Sequence, residues 1–297
     1  MAAAENIAVS GELLQNEPMS RHTSLRVGGP ADLYFVPASI EDLQVFLREL
    51  DEATPVHWFG TGSNLLVRDG GLRGVVIAAA KVLRDLERVD HYVVRAGAGV
   101  PCTQLARQCI RWGIGPSEWF AGIPGTVGGA LAMNAGAHGT ETWELVESVR
   151  TIDRAGEIHA RSPGEYTVAY RHVTGPGNEW FIEGTFRFEE GVSGTVETLN
   201  AMLERRKSTQ PLGLPSCGSV FRNPPGDHAA KLIQSCGLKG FSIGGAEISE
   251  KHANFIINRG DATARDVETL IKHIHQTVLD LHGIDLVPEV KIVGEKT

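Results

Sequence analysis

The sequence predicts an α+β fold with more than one compact unit. Helical and strand-like patterns alternate in the first part of the chain, strand-like runs follow one another in the middle, and a long amphipathic helix is predicted near the C-terminus. The chain has 297 residues. That length is enough for two or three units of the usual size of about 100–150 residues.

The first part of the chain has the pattern of a small α/β unit. Residues 1–19 show no clear periodicity, and we expect them to be loosely held. Ser39 is a good N-cap for a helix that runs to about Asp51, with Asp42 in its first turn. Short apolar runs predict strands at Asp32–Val36, Val56–Phe59, Leu65–Val67 and Val75–Ala78, with a turn at 68–74 before the last of them.

The middle of the chain predicts a second unit with antiparallel strands. A helix from about Cys102 to Trp112 ends at Gly113, as expected for a residue type that favours helix C-termini. The predicted strands are Tyr92–Ala96, Leu145–Ile152, Glu157–Arg161 and Trp180–Glu189. Turns are predicted at Gly156 and Gly175–Gly177, and we expect part of this unit to be an antiparallel sheet.

The last part of the chain predicts another α/β unit after a Pro-rich break at Gln210–Pro215. Thr263 and Asp266 have the spacing of a capping box, and they begin a long helix that ends at Gly283. We expect one apolar face of this helix to be buried, formed by Val267, Leu270, Ile271, Ile274, Val278 and Leu281. The other predicted elements are helices at Val196–Lys207 and His228–Cys236, the second capped by Asp227, and strands at Phe255–Asn258 and Leu286–Val293.

Composition excludes several classes of protein. The chain has 28 Lys and Arg against 36 Asp and Glu, a formal net charge of −8, which argues against nonspecific nucleic-acid binding. No apolar run approaches the roughly 18 residues of a membrane span, and the N-terminus lacks the pattern of a secretory signal. The cysteines form no Cys-x-x-Cys pair and the histidines no zinc motif, so we expect a reduced cytoplasmic protein without a metal site.

The densest cluster of glycines lies at Ala121–Gly139, AGIPGTVGGALAMNAGAHG, which contains no charged side chain. Glycines let the main chain approach a ligand closely, and exposed N–H groups in such a loop can bind a phosphate. The alternative is a turn where two segments pack tightly. No Gly-Lys-Ser/Thr triplet follows the glycines, which excludes a Walker A loop. The loop at Gly60–Leu65 lacks the final glycine spacing of a Rossmann fingerprint, so a dinucleotide would need another architecture.

Several segments together resemble one family, the UDP-N-acetylenolpyruvoylglucosamine reductases of bacterial cell-wall synthesis, known as the MurB family. The matching segments are Thr23–Gly29, Phe59–Ile77, Ala121–Gly139, Tyr170-Arg171, Cys217–Pro224 (CGSVFRNP), Gly237–Asn258 and Pro288–Gly294 (PEVKIVG). They cover nearly the whole chain in the family's order. The resemblance therefore implies an NADPH-dependent flavoprotein that reduces UDP-N-acetylglucosamine enolpyruvate to UDP-N-acetylmuramate in peptidoglycan synthesis.

The resemblance also implies a fold and a cofactor. The implied architecture is a two-part FAD-binding region of the vanillyl-alcohol-oxidase type, at 1–80 and 81–191, followed by a substrate-binding domain at 192–297 whose C-terminal strand returns to the active site. FAD would be bound noncovalently, with its pyrophosphate on the glycine-rich loops. The implied cofactor-binding residues are Gly60, Thr61, Gly62, Ser63, Asn64, Leu65, Gly122, Ile123, Pro124, Gly125, Thr126, Gly128, Gly129, Asn134, Ala135 and Gly136.

Three catalytic residues follow from the same resemblance. Ser219 matches the proton donor, Arg171 matches the arginine that binds the substrate carboxylate, and Glu289 matches the catalytic glutamate. The implied contacts with the UDP-sugar are Asn223, Lys231, Gln234, Lys239, His252 and Asn254. One departure is Val173, because many relatives have a serine two positions after the arginine. The chain also has no clear counterpart of the tyrosine-bearing loop of the longer members, and it resembles the shorter class.

Two other functions stay open on the sequence. The first is a flavoprotein oxidase or sugar dehydrogenase of the same fold, for which a covalent flavin would be evidence. His138 lies near the glycine-rich stretch, but nothing around it marks an attachment site. The second is a nucleotide-binding protein without catalysis, against which the joint presence of Arg171, Ser219 and Glu289 argues.

Overall fold

The computed structural model describes residues 7–297, and the chain divides into two compact units. The first unit comprises the residues up to Leu14, together with Leu33–Gly60 and Gly74–Arg206. The second unit comprises Gln15–Asp32, Thr61–Arg73 and Lys207–Thr297. The three-domain division at 1–80, 81–191 and 192–297 stays a prediction.

The elements occur in this order along the chain. The helices are α1 (Ile40–Glu49), α2 (Cys102–Arg111), α3 (Val127–Met133), α4 (Val196–Thr209), α5 (Ala229–Ser235) and α6 (Ala264–His282). The strands are β1 (Glu12–Pro18), β2 (Pro30–Val36), β3 (Val56–Trp58), β4 (Leu65–Val67), β5 (Leu72–Ile77), β6 (Leu86–Asp90), β7 (Val93–Gly97), β8 (Gly136–Ala137), β9 (Thr140–Glu141), β10 (Val146–Asp153), β11 (Ile158–Arg161), β12 (Thr167–Ala169), β13 (His172–Thr174), β14 (Glu179–Arg187), β15 (Ser242–Ile243), β16 (Ala246–Ile248), β17 (Ile256–Asn258) and β18 (Lys291–Val293).

The first unit contains the predicted antiparallel sheet, with the strand order β11–β10–β14–β7–β6. Helices α2 and α3 contribute buried side chains to the core beside it, and Cys102 and Cys109 lie in that core. In the same unit β3 pairs parallel with β5, Val56 opposite Val75. Ser39 caps α1 by accepting a hydrogen bond from the Asp42 N–H at 3.2 Å, which confirms the predicted start of this helix.

The second unit is built around α6. Thr263 and Asp266 form the predicted capping box, and Gly283 ends the helix in the left-handed region at φ 67°. The predicted apolar face is buried except for Leu281, which is 65 % exposed because it lies in the last turn, beyond the side chains that cover this helix. Strand β18 pairs parallel with β4, Ile292 opposite Leu66, and β15, β16 and β17 form a small antiparallel sheet.

Several sequence predictions were wrong in detail. Residues 12–18 form strand β1, so the expected loose segment 1–19 is ordered in that part, whereas residues 1–6 lie outside the described residues. Strand β5 begins at Leu72, so the turn before it is shorter than predicted. The last strand covers only Lys291–Val293, and Glu289 precedes it. His228 rather than Asp227 is the N-cap of α5. Helix α3, the β12–β13 hairpin and the strands β6, β8, β9, β15 and β16 were not predicted at all.

The described residues also bear on metal and membrane binding. In residues 7–297 no three or more His, Cys, Asp or Glu side chains are grouped so that they could hold a metal ion. None of the helices in this part of the chain combines the length and apolarity needed to cross a membrane. The four cysteines are free thiols.

Candidate active site

The glycine-rich segment of the first unit is fixed by main-chain bonds on both sides of Thr126. The Cys102 N–H donates to the Gly125 carbonyl at 3.0 Å, and the Val127 N–H donates to the Val100 carbonyl at 2.9 Å. These bonds form an antiparallel bridge between Pro101 and Thr126. The segment is therefore rigid where it enters α3.

Three N–H groups of this segment are available to a ligand. The N–H groups of Gly125, Thr126 and Gly129 donate to no acceptor in residues 7–297. Gly125 has φ 133°, a conformation that favours glycine, and the space beside the Gly129 Cα holds no protein atom within 4 Å. A set of unpaired N–H groups around bare glycine backbone is a site for an anion, so these residues fit the pyrophosphate of FAD.

Other glycines in the segment are required for packing. A Cβ on Gly128 would lie 2.8 Å from the Ala98 Cβ, and the Gly128 N–H already donates to the Ala98 carbonyl at 2.8 Å. A Cβ on Gly122 would lie 2.6 Å from the Ala137 Cβ. At these two positions the structure agrees with the alternative interpretation of the sequence, in which glycine allows two segments to pack tightly.

Asn134 ends α3 in the left-handed region at φ 43°, and its side chain is buried. Its Oδ1 accepts a hydrogen bond from the Trp143 N–H at 3.1 Å. Its Nδ2 donates to Glu141 Oε2 at 2.6 Å and to the Ala169 carbonyl at 3.3 Å. The amide predicted to line the flavin is thus engaged within the protein.

Arg171 lies at the turn of the β12–β13 hairpin, with φ 54°. Its Nη1 donates to the Asn134 carbonyl at 3.4 Å and its Nη2 to the Gly136 carbonyl at 3.1 Å. The guanidinium also lies 5.2 Å from the centre of the Tyr170 ring. The structure therefore brings Arg171 together with the end of the glycine-rich segment, although the two are more than thirty positions apart in sequence.

The loop Thr61–Leu65 belongs to the second unit. Gly62 has φ 62°, and a Cβ there would lie 2.2 Å from the His22 carbonyl oxygen, so only glycine fits. The N–H groups of Thr61 and Gly62 have no acceptor among the described residues. Asn64 Nδ2 donates to the Glu289 carbonyl at 3.1 Å, which joins this predicted cofactor loop to a predicted catalytic residue.

Ser219 lies on a loop of the second unit between the buried residues Cys217 and Val220. The loop turns at Gly218, with φ 78°. The Ser219 hydroxyl makes no hydrogen bond to any residue that the structure describes, and it is partly exposed. An unpartnered hydroxyl on a fixed loop can bond to a substrate without first breaking a protein contact.

The loop is held by Asn254. The Val220 N–H donates to the Asn254 carbonyl at 2.9 Å, and the Phe221 N–H donates to Asn254 Oδ1 at 2.9 Å. Asn254 Nδ2 donates to the Phe221 carbonyl at 2.8 Å, and Asn254 is buried. Asn254, predicted as a substrate contact, thus uses its side chain to position the main chain beside Ser219.

Glu289 lies next to the same loop. Its N–H donates to the Val220 carbonyl at 2.7 Å. Burial, and to a smaller extent the charge of Glu289, raise the pKa of the Cys217 thiol to about 12. The Glu289 carboxylate is therefore close to Cys217, and Ser219 and Glu289 lie in one region of the second unit.

The predicted sugar-nucleotide contacts also belong to the second unit. Lys231 is 74 % exposed and pairs with Asp227 at 3.2 Å, whereas Lys239 makes no ion pair with a described residue. Burial, and then the charge of Lys239, lower the pKa of His252, so these two side chains are close. The side chain of Asn223 accepts from the Ala229 N–H at 3.1 Å, and Gln234 is exposed on α5.

Sequence reasoning missed Glu141 and Trp143, which hold Asn134. Glu141 is partly buried, accepts from the Asn134 amide, and also belongs to a capping box with Glu144. The Trp143 indole donates to the Leu131 carbonyl at 2.8 Å. Their only signal in the sequence is that they follow the glycine-rich stretch closely, which does not distinguish them from ordinary surface residues.

Comparisons with known proteins identify the family. The domain described as "UDP-N-acetylenolpyruvoylglucosamine reductase, C-terminal domain" matches residues 210–293, and the "FAD binding domain" matches residues 31–161. The reductase of this name from Alkalilimnicola ehrlichii is 54 % identical over 296 residues, 99 % of each chain. That of Methylococcus capsulatus is 52 % identical over 297 residues, covering 99 % of this chain and 97 % of the relative.

A solved structure gives the same result. The crystal structure of UDP-N-acetylenolpyruvylglucosamine reductase (MurB) from Thermus caldophilus matches with a TM-score of 0.79 and 30 % identity, over 96 % of this chain and 99 % of the other. An FAD-binding region followed by the reductase C-terminal domain confirms the predicted α+β fold class. The chain belongs to the UDP-N-acetylenolpyruvoylglucosamine reductase family, and it is an FAD-dependent oxidoreductase of peptidoglycan synthesis that uses NADPH as its reductant.

Proposed function

We propose that Arg171, Ser219 and Glu289 carry the reduction of UDP-N-acetylglucosamine enolpyruvate to UDP-N-acetylmuramate. The observation that carries this proposal is the unpartnered hydroxyl of Ser219 on a loop whose main chain is bonded to Glu289. FAD, when bound, accepts a hydride from NADPH and supplies one to the enolpyruvyl double bond. The residues of the chain have to bind the substrate, hold its carboxylate and deliver a proton.

The glycine-rich loops are proposed to hold FAD noncovalently. In the first unit the free N–H groups of Gly125, Thr126 and Gly129 would bind phosphate oxygens, with the main chain of 134–136 beside the ring system. The predicted residues of 60–65 would do the same through the N–H groups of Thr61 and Gly62. Gly128 and the side chain of Asn64 support these loops from within the protein.

Arg171 is proposed to bind the carboxylate of the enolpyruvyl group. Negative charge grows on that carboxylate as a hydride arrives at the methylene carbon, which is the end of the double bond that does not carry the carboxylate. A planar guanidinium can bind both carboxylate oxygens and stabilises the transition state more than the ground state. The carbonyls of Asn134 and Gly136 hold the guanidinium in one orientation.

Ser219 is proposed to donate the proton to the other carbon of the double bond, the one that carries the carboxylate. A serine hydroxyl is a weak acid, so it has to be used at short range and from a fixed position. Gly218 and the bonds from Val220 and Phe221 to Asn254 fix the main chain around it. Glu289, whose N–H donates to the Val220 carbonyl, would help to stabilise the substrate carboxylate.

The UDP-sugar is proposed to bind on the second unit. Lys239 has no ion pair among the described residues and lies near His252, so it is the cation best suited to the diphosphate. Lys231, Gln234 and Asn223 remain candidates at α5. The free thiols agree with the proposed cytoplasmic location, where cysteines stay reduced.

The test of the catalytic proposal separates the two half-reactions. We expect Ser219→Ala to leave flavin reduction by NADPH unchanged and to slow flavin reoxidation by the enolpyruvyl substrate by about 10²–10⁴-fold. Ser216→Ala, in the same loop, is the matched control. Stopped-flow absorbance at the flavin band measures both rates. Unchanged reoxidation would exclude Ser219 as the acid, and equal slowing of both half-reactions would indicate a disturbed fold.

Neighbouring glycines test the cofactor proposal. Gly129→Val adds a side chain where no protein atom lies within 4 Å, so we expect a folded protein with weakened FAD binding. Gly128→Val is the matched comparison, and its side chain would collide with Ala98, so we expect loss of stability instead. FAD titration and urea unfolding measure the two effects. Native FAD affinity in Gly129→Val would place the pyrophosphate elsewhere, and acid denaturation should release all flavin from the native protein.

A further inference from the structure

We infer that Asn134 is a positioning residue that sets the orientation of Arg171. The sequence assigned Asn134 to the cofactor, but the structure uses its amide to tie together the three segments around Arg171. This inference rests on the proposed role of Arg171 in binding the substrate carboxylate. Substrate binding would then depend on Asn134, although Asn134 itself does not contact the substrate.

The Asn134 side chain holds the segment before the Arg171 turn. Nδ2 donates to the carbonyl of Ala169, the last residue of β12, two positions before Arg171. The same nitrogen donates to Glu141 Oε2 at 2.6 Å, which fixes the direction of the amide. Because β12 pairs with β13, Ala169 opposite His172, holding Ala169 holds the whole turn.

The Asn134 main chain holds the guanidinium itself. Arg171 donates to the carbonyls of Asn134 and Gly136 at 3.4 and 3.1 Å. The direction of these carbonyls depends on the left-handed conformation of Asn134, at φ 43°. Asparagine and glycine adopt this conformation far more readily than other residues.

The side chain of Asn134 also anchors the aromatic support of the hairpin. Its Oδ1 accepts from the Trp143 N–H at 3.1 Å, and the Trp143 ring lies 4.7 Å from the ring of Tyr166. Tyr166 directly precedes β12, and a Cβ on Gly175 would lie 2.2 Å from its ring, so the ring fills the space beside the end of the hairpin. One buried amide therefore joins the turn, its aromatic support and the carbonyls that bind the guanidinium.

Asn134→Gly is the variant that isolates the side chain. Glycine keeps the left-handed main chain and removes only the amide. A displacement of about 1 Å at a binding group can cost about 10²-fold in rate, and we expect that loss in reoxidation by the enolpyruvyl substrate. Flavin reduction by NADPH should slow much less than reoxidation does. Binding of UDP-N-acetylmuramate, measured by calorimetry, should weaken because the product keeps the carboxylate.

A double-mutant cycle tests whether the effect passes through Arg171. In an Arg171→Met background we expect Asn134→Gly to slow reoxidation little further, because no guanidinium is left for Asn134 to orient. The inference is overturned if Asn134→Gly slows reoxidation by the same factor in both backgrounds. It is also overturned if the variant weakens FAD binding by as large a factor as it slows reoxidation. If Arg171→Met alone leaves reoxidation unchanged, the proposed role of Arg171 fails and the inference fails with it.

A charge swap keeps the inference testable if the glycine variant does not fold. Asn134→Asp retains the acceptor for the Trp143 N–H but turns the donor into an oxygen facing Glu141, and we expect slow reoxidation. Adding Glu141→Gln supplies an amide that can donate to the new carboxylate, but the bond to the Ala169 carbonyl is still missing, so we expect reoxidation to stay slow. Glu141→Gln alone should have little effect, because its Oε1 can still accept from Asn134. Native reoxidation in a folded double variant would contradict the inference.

Discussion

The Arg171 hairpin of the first unit and the Ser219 loop of the second unit fix their functional groups in different ways. The Arg171 guanidinium is itself hydrogen-bonded to two carbonyls, and Asn134 holds the segment around it. The Ser219 hydroxyl has no hydrogen-bond partner in residues 7–297. The main chain of the next residue, Val220, is hydrogen-bonded to both Asn254 and Glu289. Side-chain hydrogen bonds therefore set the orientation of the Arg171 guanidinium, whereas the main chain sets the position of the Ser219 hydroxyl.

This difference follows from what each group is proposed to do. A long, flexible arginine needs its own hydrogen bonds to keep one of many rotamers, and accepting main-chain carbonyls do not remove its charge. A serine has one short side-chain torsion, so fixing its main chain fixes the hydroxyl oxygen within a small volume. An internal partner would compete with the substrate for the single proton that Ser219 donates.

The largest effect is expected at Arg171. Arg171→Met removes the charge that binds the carboxylate, and loss of one such stabilising group typically costs about 10²–10³-fold in rate. We expect that loss in flavin reoxidation, with native reduction by NADPH. Arg187→Met, an exposed residue paired with Glu147 at 3.0 Å, is the control for loss of an arginine. Equal slowing of both half-reactions would mean that Arg171 supports the flavin site instead.

A smaller effect is expected at Gly218, which aims Ser219 through the main chain. Gly218 has φ 78° with no protein atom near its missing Cβ, so alanine meets strain but no collision. The strain is about 1–2 kcal/mol, and relaxing it would rotate Ser219 away from its direction. We expect reoxidation to slow by about 10²-fold, with a modest loss of stability. Gly213→Ala, also at positive φ with open space in the same unit, is the control, and equal rates in both variants would contradict the comparison.

Asn254 should affect stability more than rate. Asn254→Ala leaves the Phe221 N–H and carbonyl without their present partners in a buried setting. An unsatisfied buried group costs about 1–3 kcal/mol, and we expect a loss of about 3 kcal/mol in the free energy of unfolding by urea. Asn200→Ala, at an exposed position on α4, should change it little. A native unfolding curve for Asn254→Ala would show that the loop does not depend on this amide.

Three asparagines show which features of the site can be predicted from the sequence and which cannot. Asn64, Asn134 and Asn254 lie in motifs that resemble ligand loops, and the sequence assigned all three to ligands. In the structure their amides bind the main chain of Glu289, Ala169 and Phe221, which lie 225, 35 and 33 positions away. Residue type and local spacing predict that a polar group belongs to the site region. They carry no information on which distant carbonyl lies within reach.

The fold shows the same limit. Local sequence patterns predicted the capped helices α1 and α6 and several strands of the antiparallel sheet. These elements form in the structure because the same caps and strand pairs are present in the folded chain. Helix α3 lies in a glycine-rich sequence that disfavours helix, and its position is set by the bonds of Val127 and Gly128 to Val100 and Ala98. The β12–β13 hairpin has three residues per strand, too short for a periodic pattern. Tertiary contacts decide both elements, and both hold Arg171.

The smallest effect is expected at Val173, where many relatives have a serine. Val173 pairs with Val168 across the hairpin and packs against the core of the first unit, so its contribution to Arg171 is through packing. Val173→Ser should lower the free energy of unfolding by about 1 kcal/mol, the cost of partly losing one apolar side chain. Because the bonds from Arg171 to the carbonyls of Asn134 and Gly136 do not involve residue 173, reoxidation should change by less than about tenfold, or about 1.4 kcal/mol. Val168→Ser, on the more exposed side of the same pair, is the control for stability. A loss of rate as large as that of Asn134→Gly would show that residue 173 orients Arg171 directly, and the hairpin would then have a second positioning contact.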